Sequence, residues 1–572
     1  MRRTRPVLAA VALVALTLAL PQAQAGKAPA KHASYALGAA VESIDPSAAQ
    51  IAAGDFYLGG YGLGSGKVAN QVKVLDGRAA TGILRDAAFP NGLADGVHVR
   101  AVVLGDGTHA LALAQIETQG MYAAYKQGPF GLVDIRNDAA AAIAKLKGPA
   151  LTAGSILVDS NHTHAGPDTA GVWGGVPTVY LKRIHDQSVK AIVEAYQRMV
   201  PVDLFYGTAH AGVAGEPQRY PSTDPLLTNQ FSYDAANQEV DDELRVLQAR
   251  VPGKKTVLAT YLNFSAHPTV LGGGNTLVSA DYTGPLAAML STLGGTGMEQ
   301  VGTLGRTQPA RDSCPDPALK DSAADVCKIN SYAQRVFDRT KQAIAAAKPM
   351  TGDPVVALHS YYLVDPATNA PIVALSYGGL AAGAPIYRSV NPPWITANAI
   401  GTPSFSGRIG DILLSGGPGE MYPQIVQKVR ETVPARGHLN IGTAGDFLGY
   451  IVAPFEAYPE PVRRGFFDGD PAPAGNSDCS GGASPAAIPS PIGCPSPVDN
   501  DNYFFNASHT FGERLTCSLL RGAGEVMKND KSAYWSTYER CPLFANDYAL
   551  PADLDTTFPA QPDLSSVPGF DH

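Results

Sequence analysis

The chain has 572 residues, 45% of them hydrophobic and 16% charged, with a formal charge of −8 and a pI near 5.8. That is ample for a large core, in one very large domain or several smaller ones, and the composition is that of an ordinary globular enzyme. The acidic balance argues against a nucleic-acid partner, which needs a basic face, and no polybasic tract offers itself to anionic lipid.

Residues 1–25 read as an export signal. Arg2, Arg3 and Arg5 precede an apolar run from Val7 to Leu20, and Ala23-Gln24-Ala25 is a small-x-small cleavage site. No later run is long and apolar enough to span a bilayer, so the expected product is secreted or periplasmic and begins at Gly26.

Leu37 to Pro46 reads as a strand running into a turn, followed by the glycine-rich Gly59-Gly60-Tyr61-Gly62-Leu63-Gly64. That run permits close backbone approach but lacks both full GxGxxG spacing and a P-loop lysine, so it gives no firm nucleotide signal. Gly96 to Leu104 and His109 to Ile116 form an expected hairpin around Gly105-Asp106-Gly107, with Glu117 at its end as a reserve acid. Ile135 to Leu146 and Tyr180 to Met199 read as helices, the second amphipathic and carrying His185 as a surface or capping residue. Further strands are expected at Val202 to Tyr206, Glu243 to Ala249, Thr256 to Phe264, Val355 to Leu358, Ile372 to Leu375 and Ile412 to Leu414. Helices are expected at Tyr282 to Leu293, Ala324 to Ala347 and Pro423 to Val433. The mixture implies an α/β (mixed α+β) fold, a large single domain over 26–466 with mixed β-sheets flanked by helices. Residues 467–572, rich in Pro, Gly, Ala and Ser at first and then weakly periodic, read as a short loop-rich, disulfide-stapled extension packed on it.

Six cysteines in an exported chain suit disulfides, and none has CxxC zinc spacing. Proximity pairs Cys314 with Cys327, Cys479 with Cys494, and Cys517 with Cys541, although six cysteines allow about 15 connectivities.

The chemistry concentrates where strands end. Ile156-Leu157-Val158 leads into Asp159-Ser160-Asn161-His162-Thr163-His164-Ala165-Gly166-Pro167-Asp168. On an extended segment an H-x-H pair points both rings to one face, one ring for a metal and the other for a substrate. A second histidine, His267, follows the Thr256 to Phe264 strand, with Asp281 nearby in sequence; Glu420 follows the turn after Ile412 to Leu414, and Tyr450 lies in another apolar run. His162, His267 and Glu420 would make a His2Glu zinc set with a position left for water. Spacing alone leaves this open. His267 could be a core residue, Glu420 a helix cap and Tyr450 packing.

Asn161-His162-Thr163-His164-Ala165-Gly166-Pro167, Asn263-Phe264-Ser265-Ala266-His267-Pro268, Pro418-Gly419-Glu420 and Gly449-Tyr450-Ile451 occur in that order. Together they resemble the neutral, or non-lysosomal, ceramidase family over roughly 35–460. The resemblance implies Zn²⁺ held by His162, His267, Glu420 and Tyr450, with His164 and Arg219 around the scissile amide as catalytic residues. It implies a lipid-like substrate and allows peripheral membrane contact. Asp159 or Asp281 could orient a ligand histidine from behind.

Two features depart from that family. Its Gly-Asp-Val-Ser-Pro-Asn loop, whose serine has been cast as nucleophile, matches Gly305 to Ala310 here with Gln308 at the serine position. The immunoglobulin-like sandwich of close relatives is replaced by a short tail. A zinc-activated water survives the first change. The expected function is therefore an exported zinc amidohydrolase acting on N-acylsphingosine or a related N-acyl lipid. The alternatives are a hydrolase of another amide or ester on the same site, or a non-catalytic envelope or binding protein on the same fold.

Overall fold

The structure is a computed structural model that describes residues 34–61, 77–125, 127–218, 224–229, 240–305, 307–310, 314–366, 387–388, 399–451, 511–528, 530, 532–537 and 541. The export signal, the expected strand at Ile372 to Leu375, the Cys479–Cys494 pair, Arg219 and the boundary near 466 lie outside the described residues.

The first sheet contains β1 (Tyr35–Ser43), β2 (His98–Gly105), β3 (Ala110–Ile116), β4 (Ile156–Ser160), β5 (Val200–His210), β6 (Glu243–Arg250), β7 (Val257–Phe264) and β8 (Thr296–Val301). Their order is β8-β7-β6-β5-β1-β2-β3-β4, with Lys348–Pro349 also pairing β5. The β7–β8 and β3–β4 pairs are parallel and the intervening ones antiparallel. The hairpin is as expected: Gly105 pairs Ala110, and the Asp106 carboxylate accepts the Thr108 and His109 amides at 2.8 and 2.7 Å.

A second sheet has the order β9-β10-β11-β13, from β9 (Val356–Pro366), β10 (Ala399–Ile409), β11 (Ile412–Gly416) and β13 (Gly437–Ile441). Beside it, β12 (Glu420–Met421) and β14 (Tyr450–Ile451) form a short parallel pair. The two large sheets pack face to face. Val102, Leu104, Leu111, Leu113, Leu204 and Tyr261 meet Phe405, Ile409, Ile412, Leu414 and Leu439. Alternate residues on the same strands, such as Val99, Val103 and Ile156, face helices α1 (Leu132–Ile143) and α2 (Thr178–Gln197) instead. Further along that face, Leu244 and Leu262 meet α3 (Thr283–Ser291) and α4 (Asp321–Ala346). With both faces covered, every residue of β2 and β3 is buried, and both strands are largely apolar, broken only by His98, Arg100 and Gln115.

The outer side of the second sheet is covered by α5 (Pro423–Thr432) and α6 (Phe511–Lys528), through Leu413, Ile425, Val429, Leu515, Leu519 and Leu520. The architecture is thus mixed α/β in four layers, helix, sheet, sheet, helix. The weakly periodic tail contains an 18-residue helix, α6. Cys517 of that helix is bonded to Cys541, and Cys314 is bonded to Cys327 of α4, as proximity suggested. His185 departs from its expected surface role: it is buried on α2, 3.2 Å from Asp138 and against Phe130.

Candidate metal centre

Strand ends converge because one segment stitches the sheets together. Asn263, near the end of β7, exchanges hydrogen bonds with the Asn440 backbone of β13 at 2.7 and 3.0 Å. Beyond β13, Gly442 donates to the Val301 carbonyl on one edge of the first sheet, and Gly445 donates to Val158 on the other. Thr443 Oγ1 donates to the Ser160 carbonyl at 2.5 Å. The residues just past β4, β7 and β11 are thereby gathered at one place.

His162 follows β4, but not as an extended residue. Its φ is 66°, in the left-handed region that costs a non-glycine residue about 1–2 kcal/mol. The expected strand alternation therefore stops at Ser160, and the two rings of His162-Thr163-His164 meet edge to face, 4.8 Å apart. A strained backbone over-determined by its surroundings is a feature of functional sites. His162 Nδ1 donates to the Gln119 carbonyl at 2.7 Å, and His267 Nδ1 to the Thr307 carbonyl at 2.7 Å. Each bond leaves Nε2 facing the centre as a lone-pair donor, the usual arrangement behind metal-binding histidines.

Glu420, on β12, reaches both: its two carboxylate oxygens lie 3.5 Å from His162 Nε2 and 3.0 Å from His267 Nε2. His164 Nε2 lies 3.1 Å from His162 Nε2, and donor atoms of the three histidines all lie within 4.8 Å of one another. Tetrahedral zinc with bonds of about 2.0–2.1 Å separates neighbouring donors by about 3.3–3.4 Å, so these spacings suit one ion. The Tyr450 hydroxyl hydrogen-bonds Glu420, because β12 and β14 set the two residues directly opposite.

The electrostatics suit a cation. Burial lowers the His162 pKa to about 4 against the pull of Glu420, and burial with His162, His267 and Arg78 holds His164 well below its usual range. Burial would raise Glu420, but His162, His267 and Tyr450 outweigh it and keep the carboxyl ionised. A neutral His162 and His164 beside an anionic carboxylate are protonation states that suit metal binding.

Other sequence candidates fall elsewhere. Asp159 accepts from Gln115 and Gln300, and Asp281 accepts the amides of Val270, Leu271 and Tyr282, so neither orients a site histidine. Backbone carbonyls do that work instead. Glu117 is no free acid: it binds Arg100 Nε at 2.8 Å and the His98 amide at 2.6 Å. Gln308 is buried, follows the Thr307 carbonyl that holds His267, and accepts the Thr269 hydroxyl at 2.8 Å. Sequence reasoning missed Gln119, whose main-chain carbonyl holds His162, and Phe447, whose ring lies 5.6 Å from that of His162.

Neutral ceramidase from Pseudomonas aeruginosa superposes with a TM-score of 0.53 at 16% identity, covering 84% of this chain and 75% of that one. A ceramidase complexed with C2 gives 0.56 at 15% identity, covering 87% and 76%. This chain has the ceramidase fold. No family model and no curated protein sequence matches it. The likeness is one of fold, reached at very low sequence identity. Among the described residues, no helix is long and apolar enough to cross a membrane.

Proposed function

We propose that this protein is an exported zinc-dependent amidohydrolase that cleaves the amide bond of N-acylsphingosine or a related N-acyl lipid. The observation that carries this reading is the convergence of His162, His267 and Glu420 at three strand ends, on a ceramidase fold. His162, His267, Glu420 and Tyr450 would hold the ion. His164 and Arg219 would face the substrate. His164 is set apart from the other two histidines because its Nδ1 forms no well-aligned hydrogen bond. Zinc bound there would supply Lewis acidity, polarising the amide carbonyl and bringing the pKa of water to about 7.

The chain's own residues do the rest. Glu420 and the two carbonyl-anchored imidazoles fix the donor set, so no reorganisation is needed when charge develops. His164, neutral and beside His162, is placed to hold a proton or donate a hydrogen bond to the developing oxyanion. Water rather than a side-chain hydroxyl is the nucleophile, because Gln308 offers none and is engaged with Thr269. The same glutamine favours a second reading, another amide or ester on the same centre. A panel of N-acylsphingosines, short acyl amides and esters, assayed on zinc-loaded protein, separates the two. Turnover of N-acyl lipids is expected, and turnover of esters alone would transfer the assignment to the second reading.

A further inference from the structure

Arg78 plays no part in the metal set, yet it ties three loops around the centre. It is buried, at 7% exposure. One Nη donates to Asn275 O at 2.7 Å and to Gly272 O at 3.5 Å; the other donates to the carbonyls of Gly59 and His164. The guanidinium carbon lies 5.1 Å from the centroid of the Tyr61 ring, and that ring lies 4.5 Å from the ring of His164. One cation thus reaches His164 by two routes, its backbone directly and its imidazole through Tyr61.

His164 needs such support more than its neighbours do. His162 and His267 are each locked by an Nδ1 bond to a carbonyl, whereas His164 Nδ1 makes no such bond. The Gly59–Tyr61 loop is itself pinned. The Gln119 side chain accepts the Gly60 amide at 2.9 Å and donates to its carbonyl at 3.1 Å. A Cβ at Gly59 would meet that amide oxygen at 2.1 Å, which is why the glycine run is needed.

We propose that Arg78 is a positioning residue that fixes the His164 ring for its work at the metal centre, through the His164 carbonyl and the Tyr61 ring. The proposal rests on the hydrolase reading above. A planar guanidinium can fork to several carbonyls and stack on an aromatic face at once, which an ammonium cannot. Displacing a catalytic group by about 1 Å costs on the order of 100-fold in rate.

The test uses full-length Arg78→Met and Arg78→Lys with two readouts. The first is labelling of His164 by diethyl pyrocarbonate in metal-free protein, located by mass spectrometry against the exposed His109. The second is hydrolysis of a short-chain N-acylsphingosine by zinc-loaded protein. Arg78→Met is expected to keep wild-type zinc content, label His164 faster relative to His109, and lose about 100-fold in activity, mostly in kcat. Added guanidinium ion should recover part of that loss, and Arg78→Lys should not restore wild-type kcat. Unchanged labelling or unchanged kcat in Arg78→Met overturns the proposal, as does a loss of zinc that accounts for the lost rate. If Arg78→Met fails to fold, Arg78→Lys decides on the same two readouts. If the wild type hydrolyses nothing, the hydrolase reading falls, while the labelling still decides whether Arg78 holds His164.

Discussion

His162 and His164 are two residues apart and differ in what stands behind their rings, a carbonyl for one and an aromatic stack for the other. The two substitutions should therefore separate. His162→Ala is expected to lose both zinc and hydrolysis, and His164→Ala to keep zinc while losing most of kcat; equal zinc loss in both, measured by elemental analysis, would contradict the division. A second residue-scale prediction concerns Asp159, whose carboxyl burial pushes up to about 8 despite amide donors at 3.0 and 2.5 Å. Its unfolded value is about 4. Because the folded pKa is the higher one, its stabilising contribution is complete below about pH 4 and lost as pH rises through about 8. Asp168 and Asp281, raised by burial to about 6, act in the same sense at lower pH, and His162, lowered to about 4, acts oppositely up to about pH 6.5. Above pH 6.5 the slope comes from Asp159, from Glu299, which burial also raises, and from His210, which its hydrogen bond to Asp242 raises. Tm is expected to fall between pH 6.5 and 8, and Asp159→Asn to make that fall shallower; an unchanged slope would sink this account. The sequence made His162, His267 and Glu420 legible because ligand chemistry needs those side chains. It could not show that main-chain carbonyls orient the rings, since a carbonyl is the same at every residue.

At the scale of elements, short runs rich in strand-forming apolar residues carried β1, the β2–β3 hairpin and the strands from β5 to β7. Helix α6 was obscured by Gly512, Gly522 and Gly524, which depress helix propensity. Packing overrides that. Gly522 lies against Ser406 of β10, so a Cβ there would meet the serine oxygen at 2.3 Å. Leu519 of α6 is fully buried in the outer core, and Leu519→Ala should cost about 2–5 kcal/mol in denaturant unfolding. Removing the Cys517–Cys541 bond, which spans 24 residues, should cost about 3 kcal/mol. If both changes left the unfolding midpoint unmoved, α6 would not be part of the cooperative core.

For the whole molecule, the order of short motifs pointed to the ceramidase fold, and the two superpositions agree over most of the chain. What the motifs could not supply was the bridge between the two edges of the first sheet, made by the Gly442–Gly445 segment reaching Val301 and Val158 at once. That long-range contact gathers residues from 162 to 450 into one centre. Gln308 marks where chemistry and resemblance part. The most direct test is elemental analysis of purified mature protein coupled to N-acylsphingosine hydrolysis, before and after chelation. Stoichiometric zinc is expected, with hydrolysis that chelation abolishes and zinc restores. Protein without bound metal, or hydrolysis that chelation leaves untouched, would contradict the zinc amidohydrolase assignment.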